Sequence, residues 1–109
     1  MECTAELDID LPATATDVPQ PLFDFGFIVA APGAIRALNS NNEKAATYLI
    51  RHVSGDWSEM SEVDQMQNAY AVQKGLRVFS SFVLACGKKM WIVTEWDRSV
   101  TTLLMPAEY

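Results

Sequence analysis

The 109-residue chain is poor in the residue types on which most catalytic sites are built. It holds one histidine, His52, two cysteines, Cys3 and Cys86, and five glycines that nowhere cluster. A single imidazole excludes metal sites that need two or three histidines from this chain. Isolated glycines leave no loop able to cradle a phosphate through successive backbone N–H groups. Cys3 and Cys86 stand at opposite ends of the chain and form no closely spaced pair of the disulfide or zinc-knuckle kind, so both are expected to be reduced. The longest apolar run, Val78 to Ala85, is broken by Ser80 and Ser81, and it falls well short of the roughly 20 residues that span a bilayer. Met1-Glu2-Cys3-Thr4-Ala5-Glu6 offers neither a positive start nor an apolar leader, which makes cytoplasmic residence the expectation.

Positive charge is also missing from the first third, where no Lys or Arg precedes Arg36. Residues 1–24 carry Glu2, Glu6, Asp8, Asp10, Asp17 and Asp24, which accounts for the whole formal charge of −6. From residue 25 onward eight acids face eight bases, so the body is neutral. Within it, Asp56, Glu59, Glu62 and Asp64 lie between His52 and Lys74 with no base among them. A helix N-terminus, whose positive dipole end favours carboxylates, accounts for such a group; a contact surface for a basic partner is the functional reading. Direct binding to nucleic acid is not expected, because it is driven by Lys and Arg displacing phosphate counterions.

Half of the residues are hydrophobic and 20% are charged, a balance that supports a packed core. The length suits one domain. Residues 1–22, with Pro12, Pro19 and Pro21, read as an acidic arm, extended and flexible, and residues 23–109 as a single α+β domain. Leu7, Ile9 and Leu11 alternate with acids, so a short edge strand that orders on a partner is the sharper alternative for the arm.

Phe23 to Ala30 is apolar and aromatic and reads as a short strand, broken by Ala31-Pro32-Gly33. Pro32 suits the first turn of a helix that passes through Ile35 and Leu38 and stops at Asn39-Ser40-Asn41-Asn42. A second helix is expected over Glu43 to Val53, with Ala46, Leu49, Ile50 and Val53 on one buried stripe. His52 near its end is explained by an imidazolium favoured at a helix C-terminus. A third helix should start at Ser61, with Asp64 completing a capping pair, and run to Lys74 with Gly75 as its stop. Its inward residues are expected to be Val63, Met66, Ala69 and Tyr70.

The last third turns β-branched and aromatic, with turn signals at short spacing. Strands are expected at Leu76–Ala85, Lys89–Glu95 and Val100–Met105, and the short loops between them require a three-stranded antiparallel meander packed on two or three helices. Alternation places Trp91, Val93 and Glu95 on one face and Met90, Ile92 and Thr94 on the other. Neither face is plainly polar, so the second needs cover from the arm, another copy or a partner.

Tests for chemistry find little. Cys86 sits in a Cys-Gly turn and carries no nucleophile signature towards His52. Asp56, Glu95 and Asp97 are the carboxylates that could converge on a divalent metal, although a turn in which Asp97 bonds backbone donors and Arg98 meets an acid is the simpler explanation of Glu95-Trp96-Asp97-Arg98. No metal or cofactor is expected. Trp57 and Trp96 lie beside turns next to carboxylates, and tryptophan is enriched at interface hot spots. The residues assigned to partner binding are Asp56, Trp57, Glu59, Glu62, Asp64, Glu95, Trp96, Asp97 and Arg98.

Several strings resemble a family of small bacterial proteins encoded on plasmids and integrated mobile elements. They are Ala31-Pro32-Gly33-Ala34, Arg51-His52-Val53-Ser54-Gly55-Asp56-Trp57, Lys74-Gly75-Leu76-Arg77, the stretch from Trp91 to Thr102 that reads WIVTEWDRSVTT, and Pro106-Ala107-Glu108-Tyr109. The resemblance begins near Phe25, leaves out the acidic arm and carries over no catalytic residue. It implies a mobile-element setting, in which small proteins block host defences by binding CRISPR effectors or restriction enzymes. The expectation is a non-enzymatic anti-defence inhibitor that masks the basic nucleic-acid-binding surface of such a protein partner. A small metal-dependent hydrolase or nuclease and a dimeric accessory protein of plasmid maintenance are the alternatives.

Overall fold

The computed structural model describes residues 21–109. Residues 1–20, which hold most of the expected arm and its alternating Leu7–Leu11 stretch, lie outside the described residues. The elements run β1 (Phe27–Ala30), α1 (Pro32–Ser40), α2 (Ala45–Val53), α3 (Glu62–Lys74), β2 (Val78–Val83), β3 (Lys89–Thr94) and β4 (Val100–Leu104), closed by a 3-10 turn at Pro106–Glu108. The class is α+β, as the residue pattern indicates.

The expected three-stranded meander forms only part of the sheet. β2, β3 and β4 pair antiparallel through short turns, and β1 joins β4 in parallel, giving a four-stranded mixed sheet of order β1-β4-β3-β2. A parallel neighbour needs a long crossover, and the chain supplies one: three helices and two strands separate β1 from β4. The approach to β1 is tight. Gly26 has φ +64°, and a Cβ there would collide with the backbone of Arg98 and Ser99, so no other residue fits this position without strain.

α1 follows from Pro32 in its first turn and ends where the Asn41 amide donates to the Ala37 carbonyl at 2.7 Å. α2 begins at Ala45, later than the pattern suggests, because Glu43 turns aside to accept from the Tyr48 hydroxyl at 2.7 Å. Its buried face is Ala45, Tyr48, Leu49, His52 and Val53, which keeps Leu49 and Val53 of the expected stripe and moves Ala46 and Ile50 to its margin. α3 starts and stops as its residues dictate: the Ser61 hydroxyl accepts from the Asp64 N–H at 3.2 Å, and Gly75 closes the helix in the left-handed conformation at φ 70°.

The main core lies between α1, α2 and the inner face of the sheet, with Ala34, Leu38, Leu49, Phe82, Ile92 and Leu103 at its centre. A smaller cluster of Trp57, Ala71 and Val78 packs with Phe23, Met60 and Val72 under α3. The outer face of the sheet is covered unevenly. Trp91 is half-buried between Phe79 and Tyr109, edge-on to both at 4.9 and 5.6 Å, while Phe27 and Val83 are exposed. Among the described residues no helix is long and apolar enough to cross a membrane.

Candidate functional site

His52 is the first residue whose surroundings depart from expectation. It is fully buried over the inner face, where Nδ1 meets the Ser80 hydroxyl and Nε2 meets the Thr94 hydroxyl at 2.8 Å. Thr94 bonds Thr101 at 2.7 Å, and Thr101 donates to the Phe25 carbonyl at 2.8 Å. That carbonyl can only accept, which fixes the direction of the bonds as far as His52 Nε2. Thr101 spends its proton on Phe25, so Thr94 donates to Thr101 and His52 Nε2–H donates to Thr94. Burial, followed by the charge of Arg98, pushes the His52 pKa down to about 3, so the imidazole is neutral and Ser80 donates to bare Nδ1. The C-terminal imidazolium expected from the helix dipole does not form, because its desolvation in the core outweighs a dipole contribution of about 1 kcal/mol. The chain ties α2, three strands and the approach to β1 together, and Cys86 stands apart from it on the exposed β2–β3 turn.

Two of the four carboxylates from residue 56 to 64 share one cation in the fold. Arg51, one turn earlier in α2, donates to Asp56 at 2.8 Å and to Glu59 at 3.2 Å. The Arg51 bond, with help from Ser58, holds the Asp56 carboxyl below its ordinary range. Glu59 has a second task, accepting from the Val83 N–H on the free edge of β2 at 2.7 Å. Glu62 and Asp64 remain exposed in the first turn of α3.

The 95–99 turn is also internally engaged. The Asp97 carboxylate accepts from the backbone N–H and hydroxyl of Ser99, which lower its pKa. Arg98, at φ 61°, does not meet a neighbouring acid through its guanidinium. It donates to the carbonyls of Leu76, Glu95 and Ala71 and stacks over Phe23 at 5.3 Å. A cation on the last carbonyls of α3 complements the helix dipole, so Arg98 clamps α3 to the β3–β4 turn. Glu95 lies 3.8 Å from Arg77. Asp56, Glu95 and Asp97 are thus each engaged locally, and among the described residues no three His, Cys, Asp or Glu side chains gather as a metal site.

The tryptophans separate clearly. Trp57 is only 6% exposed and belongs to the core under α3, so it is not a free contact residue; its indole N–H meets no acceptor among the described residues. Trp96 is 65% exposed at the tip of the β3–β4 turn.

The largest departure is α3, where the inward assignment of Val63, Met66, Ala69 and Tyr70 is overturned. Val63, Met66 and Tyr70 are 64%, 70% and 57% exposed, and Ala69 faces solvent with them. The face turned to the sheet is Asn68 and Ala71. Asn68 decides this orientation: its amide donates to the Phe79 carbonyl at 2.7 Å and accepts from the Phe79 N–H at 3.1 Å. The side chain thus pairs with β2 as a further strand would, and together with Glu59 it blocks an edge otherwise open to another chain. Two exact backbone bonds hold a polar residue inward, and the 63/66/70 stripe is rotated outward. It lies beside Leu76, Arg77 and Phe79 along a groove of about 500 Å³. Nothing in the periodicity marks the swap, since apolar residues occur on more than one side of α3.

Compared with protein-family models, curated protein sequences and solved structures, the chain matches none of them significantly.

Proposed function

We propose that this protein acts without catalysis, by docking the outer face of α3 onto a basic, nucleic-acid-handling protein of a host defence system. The observation that carries this reading is the exposed Val63-Met66-Tyr70 stripe. Three large apolar side chains at helical spacing beside an apolar groove form the pattern by which one helix face is recognised by a partner surface. Glu62 and Asp64 at the start of the same helix would steer association with a positively charged partner. The mobile-element setting implied by the resemblance supplies the class of partner, a CRISPR effector or restriction enzyme. Masking through shape with an acidic rim fits better than mimicry of a phosphate backbone, because Asp56 and Glu59 are both held against Arg51.

Plasmid interference in cells carrying an active CRISPR or restriction system tests this. The wild-type chain should relieve interference, and Tyr70→Ala with Met66→Glu should abolish relief. An interface anchor of this kind contributes about 2 kcal/mol or more, a loss of about 30-fold in affinity. Undiminished interference across a broad panel of such systems would sink the proposal.

A second reading is a dimeric accessory protein. The α3 face carries Glu62 and Asp64 at one end and Lys74 at the other, so two copies laid antiparallel would match charge with charge. Sedimentation of the purified chain separates the two: a concentration-dependent dimer lost in Tyr70→Ala favours self-association.

A further inference from the structure

A second recess shares no lining residue with the α3 groove. α1, the β2–β3 turn and the segment after β4 enclose a concavity of about 780 Å³, within the size range of small-molecule sites. Its charged lining residues are Arg36, Lys88 and Lys89, and the Glu108 carboxylate is bonded to two further lining residues, Gly33 and Met105. Three of the eight bases of the chain therefore line one recess, and Lys89 also lines the outer-face groove that holds Glu59, Asp64 and Trp91. None of the three is ion-paired with a described residue. Ala37, Met105 and Pro106 supply apolar surface in the same wall.

Three cations that share a recess repel one another, and an oxyanion placed between them removes that repulsion as it gains charge-assisted hydrogen bonds. The α1 N-terminus itself is taken: the Glu108 carboxylate accepts from the Gly33 N–H at 2.6 Å and from the Met105 N–H at 2.9 Å. Recognition must therefore come from side chains, for which Arg36 provides a planar fork and the lysines point charges. We infer that this recess binds the phosphate group of a small phosphorylated molecule through Arg36, Lys88 and Lys89, with its organic body against Ala37, Met105 and Pro106.

Cys86 lines the same recess and reports on it. Its thiol is held below the ordinary value by the Lys88 backbone N–H, then by the Asn41 amide, with the Lys88 charge adding to both. It is therefore more reactive towards alkylation than an unperturbed thiol.

The test uses the full chain with inorganic phosphate, adenosine 5′-monophosphate and adenosine as probes, followed by calorimetry. The nucleotide should bind saturably with Kd of ~1 mM or tighter, more tightly than inorganic phosphate, and adenosine should not bind. Arg36→Ala or Lys88→Ala with Lys89→Ala should weaken the nucleotide about tenfold, as loss of a charge-assisted bond predicts. Lys74→Ala with Arg77→Ala, which removes equal charge elsewhere, should leave it unchanged. The nucleotide should also slow iodoacetamide labelling of Cys86, followed on its own peptide by mass spectrometry. Absence of saturable binding, equal loss in the Lys74/Arg77 variant, or unprotected Cys86 would each overturn the assignment.

Discussion

α2 and α3 lie against the same protein and use their apolar residues in opposite ways. α2 buries Tyr48, Leu49 and Val53 and leaves only Thr47 exposed. α3 leaves nine of its thirteen residues exposed, the bulky Val63, Met66 and Tyr70 among them, and turns Asn68 inward. α2 is held by area, which is non-directional and tolerates adjustment. α3 has a small apolar contact through Ala71 and Val72 and is fixed by directional bonds: Asn68 to the β2 edge and Arg98 to the Ala71 carbonyl of its last turn. A helix fixed in that way can carry an apolar face to the outside without losing its place, which is what a docking element requires.

Core truncation should show the contrast most strongly. Leu49→Ala is expected to cost about 2–5 kcal/mol in urea denaturation, whereas Met66→Ala and Tyr70→Ala should each stay within about 0.5 kcal/mol. A comparable loss at Tyr70 would mean that α3 packs as α2 does. The pH dependence comes next. The folded pKa of His52 is about 3 against 6.5 in the unfolded chain, so only the unfolded state takes up the proton between those values. Stability is fully present above pH 6.5 and is lost as pH falls towards 3, at up to about 1.4 kcal/mol per pH unit. His52→Gln should flatten this slope in denaturation midpoints measured from pH 7 to 4.

Asn68→Ala leaves the N–H and carbonyl of Phe79 without their partner and should cost about 1–3 kcal/mol. It also opens the β2 edge, so a rise in concentration-dependent aggregation by light scattering is expected alongside the loss; Asn68→Asp, which sets a buried carboxylate oxygen against the Phe79 carbonyl, should cost at least as much. Arg51→Ala is expected to cost less than Asn68→Ala. Its pairs with Asp56 and Glu59 are partly exposed and should contribute less than about 1 kcal/mol, diminishing with added salt.

Much of the fold was legible because local rules govern it. Pro32, Ser61 and Gly75 punctuate helices through their own backbone chemistry, and the turns at Cys86-Gly87-Lys88 and Trp96–Ser99 force the β2-β3-β4 meander. The candidate site was legible only in fragments. Trp57 and Trp96 were alike in the sequence, each beside a turn and next to carboxylates, and Asp97 was legible as a turn residue. Trp57 proved internal, and Arg98, Asp56 and Glu59 proved engaged by other parts of the fold, because their partners Val78, Ala71 and Arg51 reach them only through tertiary contact or across a helix end. The α3 stripe was read as core, since hydrophobic periodicity reports that a face is apolar and not which side of the helix meets the sheet.

The amino-acid sequence by itself determined the α+β class, the places where helices start and stop, and the scarcity of catalytic groups. These follow from composition, capping and turn chemistry within a few residues of each position. Only the tertiary structure decided that β1 joins β4 in parallel, that His52 is a neutral core residue and that α3 turns its apolar side outward. Each depends on a partner distant along the chain: β4 for β1, Ser80 and Thr94 for His52, and Phe79 for Asn68. A hydrogen bond between distant groups is fixed by their meeting in the fold and leaves no periodic trace along the chain.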